Sequence, residues 1–383
     1  MQYNYVRHLQ NPSFDVKAHP EFAELLSLED CRKAVKEIST WSGYQSTDMP
    51  VLDDFAEAGG VAKVWYKDES TRFGLGSFKA LGGSYAVANL ARDYESKHGN
   101  LAGFSVATAT DGNHGRSVAW GAKRLGVECN IFIHAHVSQG RADYMAGLGA
   151  TIHRVDGNYD DSLVACEQMS KEHDWQIVSD TSWEGYETVP LEIMAGYSVM
   201  AAEIVEQLDG AIPSHFFIPA GCGGLAGAML GYLWQIWGEQ LPRIIVVESN
   251  MSDCVLQSLE RQKIELVNIV DETVMAGLSC GEVSRVIWPL IEKGVADVVT
   301  IPDDGVVPIM RRLAFPDSTH PREAIEAGEC STAGLATMLA ANNPNNADLK
   351  RQLKLNEDST VLVLGTEGAT DPDFYQAAMA SEA

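Results

Sequence analysis

Short apolar runs that alternate with helical patterns constrain the fold of this chain most. Residues 131–133 and 244–247 are strand-like, whereas residues 141–148 and 198–208 carry apolar side chains at helical spacing. Apolar strands that alternate with amphipathic helices predict mainly parallel sheets with helices on both faces. The chain has 383 residues, which is enough for one large or two medium domains. The predicted fold class is therefore α/β.

Three loops of small residues each come directly after an apolar strand-like run. They are residues 108–115, 221–227 and 365–368. In parallel α/β sheets, ligands bind in the crevice beyond the carboxyl ends of the strands. The three loops are therefore predicted to contribute to one ligand pocket.

A lysine stands where a helix is predicted to begin. Residues 64–66 favour a strand, and apolar residues at helical spacing follow Lys79. A lysine at a loop-to-helix junction, with the small hydroxyl of Ser77 nearby, is well placed to form a Schiff base with a carbonyl. The alternative is an ordinary solvated surface lysine.

Charge and cysteine content limit the partners and the compartment. The net charge of −25 disfavours nucleic acid and anionic membranes as partners, because both attract lysine and arginine. Residues 216–238 carry no charge, but Pro219 and the following glycines should break a membrane helix, so a buried helix is predicted. Residues 1–14 contain no signal-peptide pattern. Seven scattered cysteines without a C-x-x-C pair predict reduced thiols in a cytoplasmic protein without a zinc site.

Several motifs occur in the order known from one enzyme family. They are K-D-E-S and R-F-G-L within residues 67–75, S-F-K at 77–79, T-D-G-N-H-G at 110–115, D-T-S-W-E-G-Y at 180–186, the glycine loop at 221–227, M-A-G-L-S-C-G-E at 275–282 and T-E-G at 366–368. This series resembles the fold-type-II pyridoxal-phosphate enzymes, the family of tryptophan synthase β and threonine dehydratase. Within that family it is most similar to the diaminopropionate ammonia-lyases. The resemblance extends from about residue 45 to about residue 375.

The resemblance implies a two-lobed molecule in which each lobe is a mainly parallel sheet flanked by helices. Residues 1–83 and 189–383 would form a large cofactor-binding domain, and residues 84–188 a small inserted domain. It also implies pyridoxal 5′-phosphate as the cofactor, a small amino acid as the substrate and a homodimer.

The resemblance assigns a set of cofactor-binding residues. Lys79 would hold the cofactor as a Schiff base, Asn113 would bind its 3′-oxygen, and Thr366 its pyridine nitrogen, with Glu367 as the competing partner. The phosphate would be bound by the backbone of the glycine loop, namely Gly221, Cys222, Gly223, Gly224 and Leu225. His114 is predicted to hold its turn.

The resemblance also implies catalytic roles for Lys79, Asp111 and Asp180. The substrate would be bound by Ser77, Thr110, Asp111 and Asp180. Asp111 stands where serine and threonine dehydratases have serine, so a carboxylate there could take a Cα proton on the face opposite Lys79, or protonate a departing amine. A turn-capping role is its alternative. Burial beside the cofactor is expected to lower the pKa of Lys79.

The reaction implied is α,β-elimination from 2,3-diaminopropionate, which yields pyruvate and two ammonia. The alternatives are a serine/threonine-type dehydratase, a lyase for another β-substituted amino acid, a β-replacement synthase and a cofactor carrier without activity. These alternatives stay open because the sequence differs from the family motif at one place. Residues 328–332 read G-E-C-S-T where the family usually has G-E-S-G-A. Cys254 and Cys280 match cysteines that pair in some relatives, and two unrelated buried thiols are the other interpretation.

Overall fold

Two separate sheets form the framework of the protein. The computed structural model describes residues 3–15, 17, 20–110 and 112–381, and within them one sheet has six strands and the other four. The strands are β1 (Arg7–Gln10), β2 (Lys63–Asp68), β3 (Ser105–Ala109), β4 (Glu128–His134), β5 (Thr151–Val155), β6 (Gln176–Ile177), β7 (His215–Pro219), β8 (Arg243–Ser249), β9 (Asp297–Ile301) and β10 (Thr360–Gly365).

The larger sheet has the order β1-β9-β8-β7-β10-β2, and the smaller has the order β5-β4-β3-β6. All neighbouring pairs are parallel except β1, which pairs antiparallel with β9 at one edge. The four strands of the smaller sheet come between β2 and β7 in the chain. The predicted α/β class with mainly parallel sheets is therefore confirmed, while the domain boundaries at residues 84 and 188 stay a prediction.

Helices cover the sheets and connect their strands. They are α1 (Pro20–Leu25), α2 (Leu28–Ile38), α3 (Asp53–Gly59), α4 (Lys79–His98), α5 (Asn113–Leu125), α6 (Gln139–Gly147), α7 (Tyr159–His173), α8 (Thr188–Gln207), α9 (Gly224–Trp237), α10 (Cys254–Arg261), α11 (Trp288–Gly294), α12 (Val306–Ala314), α13 (Ala333–Ala341), α14 (Ala347–Leu353) and α15 (Pro372–Ala380).

The central strands are buried on both faces. Every residue of β3, β7 and β9 is buried, which explains why these strands show no alternation of apolar and charged residues. The uncharged stretch 216–238 divides into β7, a glycine turn and α9, whose residues from Leu225 to Leu233 are all buried. The long apolar helix α8 could cross a membrane by length and composition alone, but 72% of its most apolar 18-residue window is buried inside the protein.

Candidate active site

Five loops meet where the two sheets face each other. The glycine loop follows β7, Thr366 follows β10 and the segment leading to Lys79 follows β2, and these three strands are neighbours in the larger sheet. Asn113 follows β3 and Asp180 follows β6, which are neighbours in the smaller sheet. Because parallel strands point their carboxyl ends the same way, each sheet brings its loops to one edge.

Lys79 and Asp180 form an ion pair between the loops of the two sheets. The Lys79 Nζ donates to Asp180 Oδ2, and each side chain is 22% exposed. Burial lowers the pKa of Lys79, but the Asp180 carboxylate raises it by more, so the pKa lies well above its ordinary value. Burial raises the pKa of Asp180, but Lys79 and His114 bring it well below its usual range. Among these protein groups the carboxylate outweighs burial, and the lowering of the Lys79 pKa expected beside the cofactor stays a prediction.

Tyr197 is a member of the site that the sequence did not predict. It lies on α8, is 2% exposed, and its ring packs edge-on against Phe78 with the centroids 4.8 Å apart. Its buried hydroxyl has no hydrogen-bond partner among the described residues, and burial raises the pKa of this phenol while the charge of nearby Lys79 lowers it by less, so the phenol stays protonated. Tyr197 sits between apolar residues at the middle of α8, a pattern that predicts packing and carries no sign of a site.

The glycine loop has a backbone that only glycine adopts easily. Gly223 has φ +88°, and a Cβ there would lie 2.8 Å from Ile287 Cδ1. A Cβ at Gly221 would lie 3.0 Å from the Gly277 oxygen. Helix α9 begins at Gly224, and its first turn has N–H groups without carbonyl partners in the helix. A loop with exposed backbone N–H groups at a helix N-terminus is suited to bind an anion such as phosphate.

Asn113 is held in place by Glu367. The Asn113 Nδ2 donates to one carboxylate oxygen of Glu367 at 2.5 Å, and the Cys330 backbone N–H donates to the other at 3.1 Å. Thr366 is buried, with its Oγ1 3.5 Å from Ser331 Oγ. Both oxygens of Glu367 accept hydrogen bonds from the protein, and the assignment of Thr366 to the pyridine nitrogen, with Glu367 as its competitor, stays a prediction.

The remaining predicted residues hold the turns around the site. Thr110 Oγ1 accepts the N–H groups of Gly112 and Gly115 at 3.1 and 3.2 Å. The Lys79 N–H donates to Ser77 Oγ at 3.3 Å. The His114 Nε2 lies 2.8 Å from the Val178 backbone oxygen and its Nδ1 lies 3.8 Å from Asp180 Oδ2, and its role in the turn stays a prediction.

Asp111, which is predicted to be catalytic, lies outside the described residues. Its described neighbours Thr110 and Gly112 belong to the turn that leads into α5. The proposed roles of Asp111 as a base or as a turn cap therefore stay predictions.

The segment that departs from the family pattern is buried beside the T-E-G loop. Cys330, Ser331 and Thr332 form a buried 3₁₀ turn. The Ser331 Oγ donates to the backbone carbonyl oxygen of Glu367 at 2.6 Å. Burial and the nearby Glu367 carboxylate raise the pKa of Glu329 to about 8. The altered residues thus pack under the site and support Glu367.

A buried charge network supports the segment that leads to Lys79. Lys67 Nζ and Arg72 Nη2 each lie 2.7 Å from Glu203 Oε2, and Arg72 also contacts Glu69 at 2.8 Å. Sequence matching identified the K-D-E-S and R-F-G-L motifs but not this network, since Glu203 lies far along the chain on α8.

The cysteines are all free thiols in this structure, including Cys254 and Cys280. The structure therefore agrees with two separate thiols and not with a disulfide between Cys254 and Cys280. Within the part of the chain that the structure describes, no group of three His, Cys, Asp or Glu side chains could hold a metal ion.

The comparison with protein families identifies the class of protein. The family model described as "Pyridoxal-phosphate dependent enzyme" matches residues 42–367. The chain therefore belongs to the pyridoxal-phosphate-dependent enzymes, and pyridoxal 5′-phosphate is its cofactor.

Similar proteins narrow this class. Diaminopropionate ammonia-lyase of Escherichia coli (strain K12) is 39% identical over 351 residues, which cover 88% of this chain and 87% of the relative. The enzyme of the same name from Salmonella typhimurium is 34% identical over 354 residues, 87% of each chain. A crystal structure of the E. coli enzyme in complex with an aminoacrylate-PLP azomethine reaction intermediate superposes with a TM-score of 0.89 and 36% identity, over 99% of this chain and 98% of that one. Within its class, the chain belongs to the diaminopropionate ammonia-lyase family.

The residues present fit this cofactor. The Lys79 amine matches its aldehyde, the Asn113 amide its phenolic oxygen, and the Thr366 hydroxyl its ring nitrogen. The loop from Gly221, with its φ +88° glycine and the start of α9, matches its phosphate. The donor set thus offers one partner for each polar group of pyridoxal phosphate.

Proposed function

We propose that this enzyme catalyses α,β-elimination from 2,3-diaminopropionate to give pyruvate and two ammonia. The observation that carries the proposal is the contact between Lys79 and Asp180, which places an amine base and a carboxylate side by side where the loops of both sheets meet. The names and identities of the relatives support the same substrate.

When bound, the cofactor supplies an electron sink that lowers the energy of a carbanion at the substrate Cα. Lys79 Nζ is the base that takes the Cα proton on its face of the substrate. Its amine must be neutral to do so, and Asp180 decides where the proton of the pair resides. Asp111 is the proposed base on the opposite face.

The carboxylates also select the leaving group. Amines leave poorly unless they are protonated, and a positioned acid contributes on the order of 10²–10⁴ in rate. The carboxylates of Asp180 and Asp111 would attract a substrate with a second ammonium group and repel one with a β-carboxylate. This arrangement favours elimination of ammonia over elimination of water.

A substrate screen tests the proposal. The enzyme is incubated with D- and L-diaminopropionate, serine, threonine and β-chloroalanine, and pyruvate, ketobutyrate and ammonia are measured. We expect turnover of diaminopropionate to exceed that of serine and threonine, with two ammonia per pyruvate. Faster turnover of serine or threonine would make the enzyme a dehydratase. A requirement for an added nucleophile would make it a β-replacement synthase.

A lysine variant tests the site within the same screen. Lys79→Ala should lose turnover and the visible absorption band of the bound cofactor. Retained activity, with borohydride fixing the cofactor to another lysine, would overturn the assignment of Lys79.

We further propose that the enzyme is a cytoplasmic homodimer that binds neither nucleic acid nor membranes. The net charge of −25 and the free thiols support this environment. Exposed apolar side chains at Leu266, Val270 and Val274 supply surface for a second copy. Sedimentation velocity tests the dimer, and a single species at 41.6 kDa would contradict it.

A further inference from the structure

Glu367 joins three segments of the active site. A backbone bridge pairs it with Ser77 of the S-F-K motif. Its side chain accepts hydrogen bonds from Asn113 Nδ2 at 2.5 Å and from the Cys330 N–H at 3.1 Å. The residue is only 6% exposed, so both bonds are made away from bulk solvent.

The backbone from which Glu367 projects is fixed by the segment 328–332. The Glu367 N–H donates to Ser331 Oγ at 2.8 Å, and Ser331 Oγ donates to the Glu367 carbonyl oxygen at 2.6 Å. The Gly328 N–H donates to the same carbonyl oxygen at 2.8 Å. A Cβ at Gly328 would lie 2.8 Å from Glu367 Cγ, so this segment also packs closely against the side chain. The Glu367 carboxylate therefore has a fixed position.

The donors and acceptors in this chain of contacts allow one arrangement of hydrogen atoms. The Cys330 N–H can only donate, and an ionised carboxylate can only accept. Burial and the Glu367 charge raise the pKa of Glu329 to about 8, so near neutral pH the proton of these two acids resides on Glu329. Asn113 must then turn its Nδ2, and not its Oδ1, towards Glu367. The second hydrogen on Nδ2 is left for another acceptor.

We propose that Glu367 is a positioning residue that orients the Asn113 amide, so that its second N–H faces the phenolic oxygen of the cofactor. That oxygen accepts hydrogen bonds, so the amide must present a donor to it and not the Oδ1 atom. The role depends on the predicted contact between Asn113 and the phenolic oxygen, and not on the identity of the substrate.

The variant Glu367→Gln should reverse the orientation of the amide. The Cys330 N–H would keep the single oxygen of the new side chain, so the amide nitrogen of the glutamine would face Asn113. Two donor groups would then meet. Asn113 relieves this conflict by turning its Oδ1 towards the glutamine, which places an acceptor against the phenolic oxygen.

Cofactor binding tests this role without a substrate. The full chain is freed of cofactor with hydroxylamine, and fluorescence titration measures its affinity for pyridoxal 5′-phosphate and for 3-deoxypyridoxal 5′-phosphate, which lacks the phenolic oxygen. Glu367→Gln should raise the dissociation constant for pyridoxal 5′-phosphate at least about tenfold, and that for the deoxy analogue less than about twofold. An equal effect on both would mean that Glu367 acts on the ring nitrogen or on the fold, and would overturn the proposal. No effect on either would overturn it too.

A double-mutant cycle shows whether Glu367 acts through Asn113. Asn113→Ala should raise the dissociation constant for pyridoxal 5′-phosphate, and adding Glu367→Gln should change it by less than about twofold further. Effects that multiply, or an unchanged constant in Asn113→Ala, would overturn the proposal.

Glu326→Gln is the matched control. This exposed carboxylate accepts the Ala369 N–H at 3.4 Å, just after the T-E-G loop, and one glutamine oxygen can do the same. The control should bind both forms of the cofactor as the wild type does, and circular dichroism checks the fold of every variant.

Discussion

At the scale of single residues, proton positions control the site. The Lys79–Asp180 pair is only partly exposed, and its proton resides on nitrogen because the carboxylate stabilises the ammonium more than burial disfavours it. Tyr197 adds a neutral hydroxyl beside the same amine. The reactivity of Lys79 is therefore governed by its neighbours and not by its own ordinary pKa.

Replacing Asp180 should move the pH dependence of Lys79. In Asp180→Asn the raising effect of the carboxylate is lost and burial remains, so the pKa of Lys79 falls. The amine must be neutral to react with the cofactor aldehyde, so the rate of cofactor uptake by the cofactor-free enzyme should rise at a lower pH in the variant than in the wild type. Stopped-flow absorbance across the pH range measures this shift. The exposed carboxylate variant Glu184→Gln is the control, and coincident profiles for Asp180→Asn and wild type would contradict the prediction.

Asp111 should matter unequally for the two enantiomers of the substrate. Lys79 reaches the Cα hydrogen of one enantiomer only, and we expect it to serve the L-isomer. In Asp111→Asn the turn chemistry is kept and the base is removed, so activity on D-diaminopropionate should fall by at least about 10²-fold, with a smaller loss on the L-isomer. Pyruvate assays with each isomer measure this. Equal losses would indicate a shared role such as protonation of the leaving amine, and no loss would leave Asp111 as a turn residue.

At the scale of elements, strand ends and helix starts build the site. Strands β7, β10 and β2 lie side by side, and each delivers its following loop to the same edge. Helices α4, α5 and α9 begin at Lys79, Asn113 and Gly224, so three site segments are also helix N-termini. Their positive ends suit a cofactor that carries a phosphate and a phenolic oxygen.

The glycine loop should not tolerate a branched side chain at Gly223. Gly223→Val forces a β-branched residue to φ +88° and brings its Cβ to 2.8 Å from Ile287 Cδ1. We expect the cofactor dissociation constant to rise at least about tenfold, because 1.4 kcal/mol of strain or lost contact corresponds to that factor. Fluorescence titration measures the affinity, and circular dichroism checks the fold. Gly140→Val, where a Cβ would meet nothing within 4 Å, is the control and should bind normally.

The buried network should contribute strongly to stability. Glu203→Gln removes the carboxylate that pairs with both the Lys67 ammonium and the Arg72 guanidinium, and leaves Arg72 its ion pair with Glu69. Breaking a buried ion pair by removing one partner costs about 3–5 kcal/mol. Urea unfolding measures the loss. The control is Glu206→Gln, an exposed position one helical turn after Glu203, which should change the free energy of unfolding by less than about 0.5 kcal/mol. Equal losses of unfolding free energy in the two variants would show that the network contributes little.

At the scale of the whole molecule, side chains join the two sheets and their helices around the site. Arg116 Nη2 donates to the Thr370 oxygen at 2.5 Å, and the Tyr144 hydroxyl donates to the Gly74 oxygen at 3.2 Å. Arg141 lies 3.6 Å from Asp371. These contacts link α5 and α6 to the loops after β2 and β10.

Salt should stabilise the whole molecule. The chain has 53 acidic and 28 basic residues, so its folded form is subject to self-repulsion. Raising sodium chloride from about 0.01 M to about 0.5 M shortens the screening length several-fold. We expect a gain of about 1 kcal/mol, which would raise Tm by about 2 °C in a chain of this size. Calorimetry at pH 7 measures this, with potassium chloride as the control for ion identity. A fall in Tm would mean that surface ion pairs outweigh the repulsion.

The parallel α/β class, the lysine at the start of α4 and the glycine loop before α9 could all be predicted from the amino-acid sequence. These features depend on local periodicity and on backbone conformations that glycine alone permits, and both can be read from neighbouring residues.

The contacts between distant side chains could not be predicted in this way. Lys79 and Asp180 are 101 positions apart, and Asn113 and Glu367 are 254 apart. Their contacts depend on the order of strands within each sheet and on how the two sheets face each other, and no local pattern encodes that order. The sequence did not identify Tyr197 for the same reason. Its hydroxyl belongs to the site only because α8 packs against the start of α4.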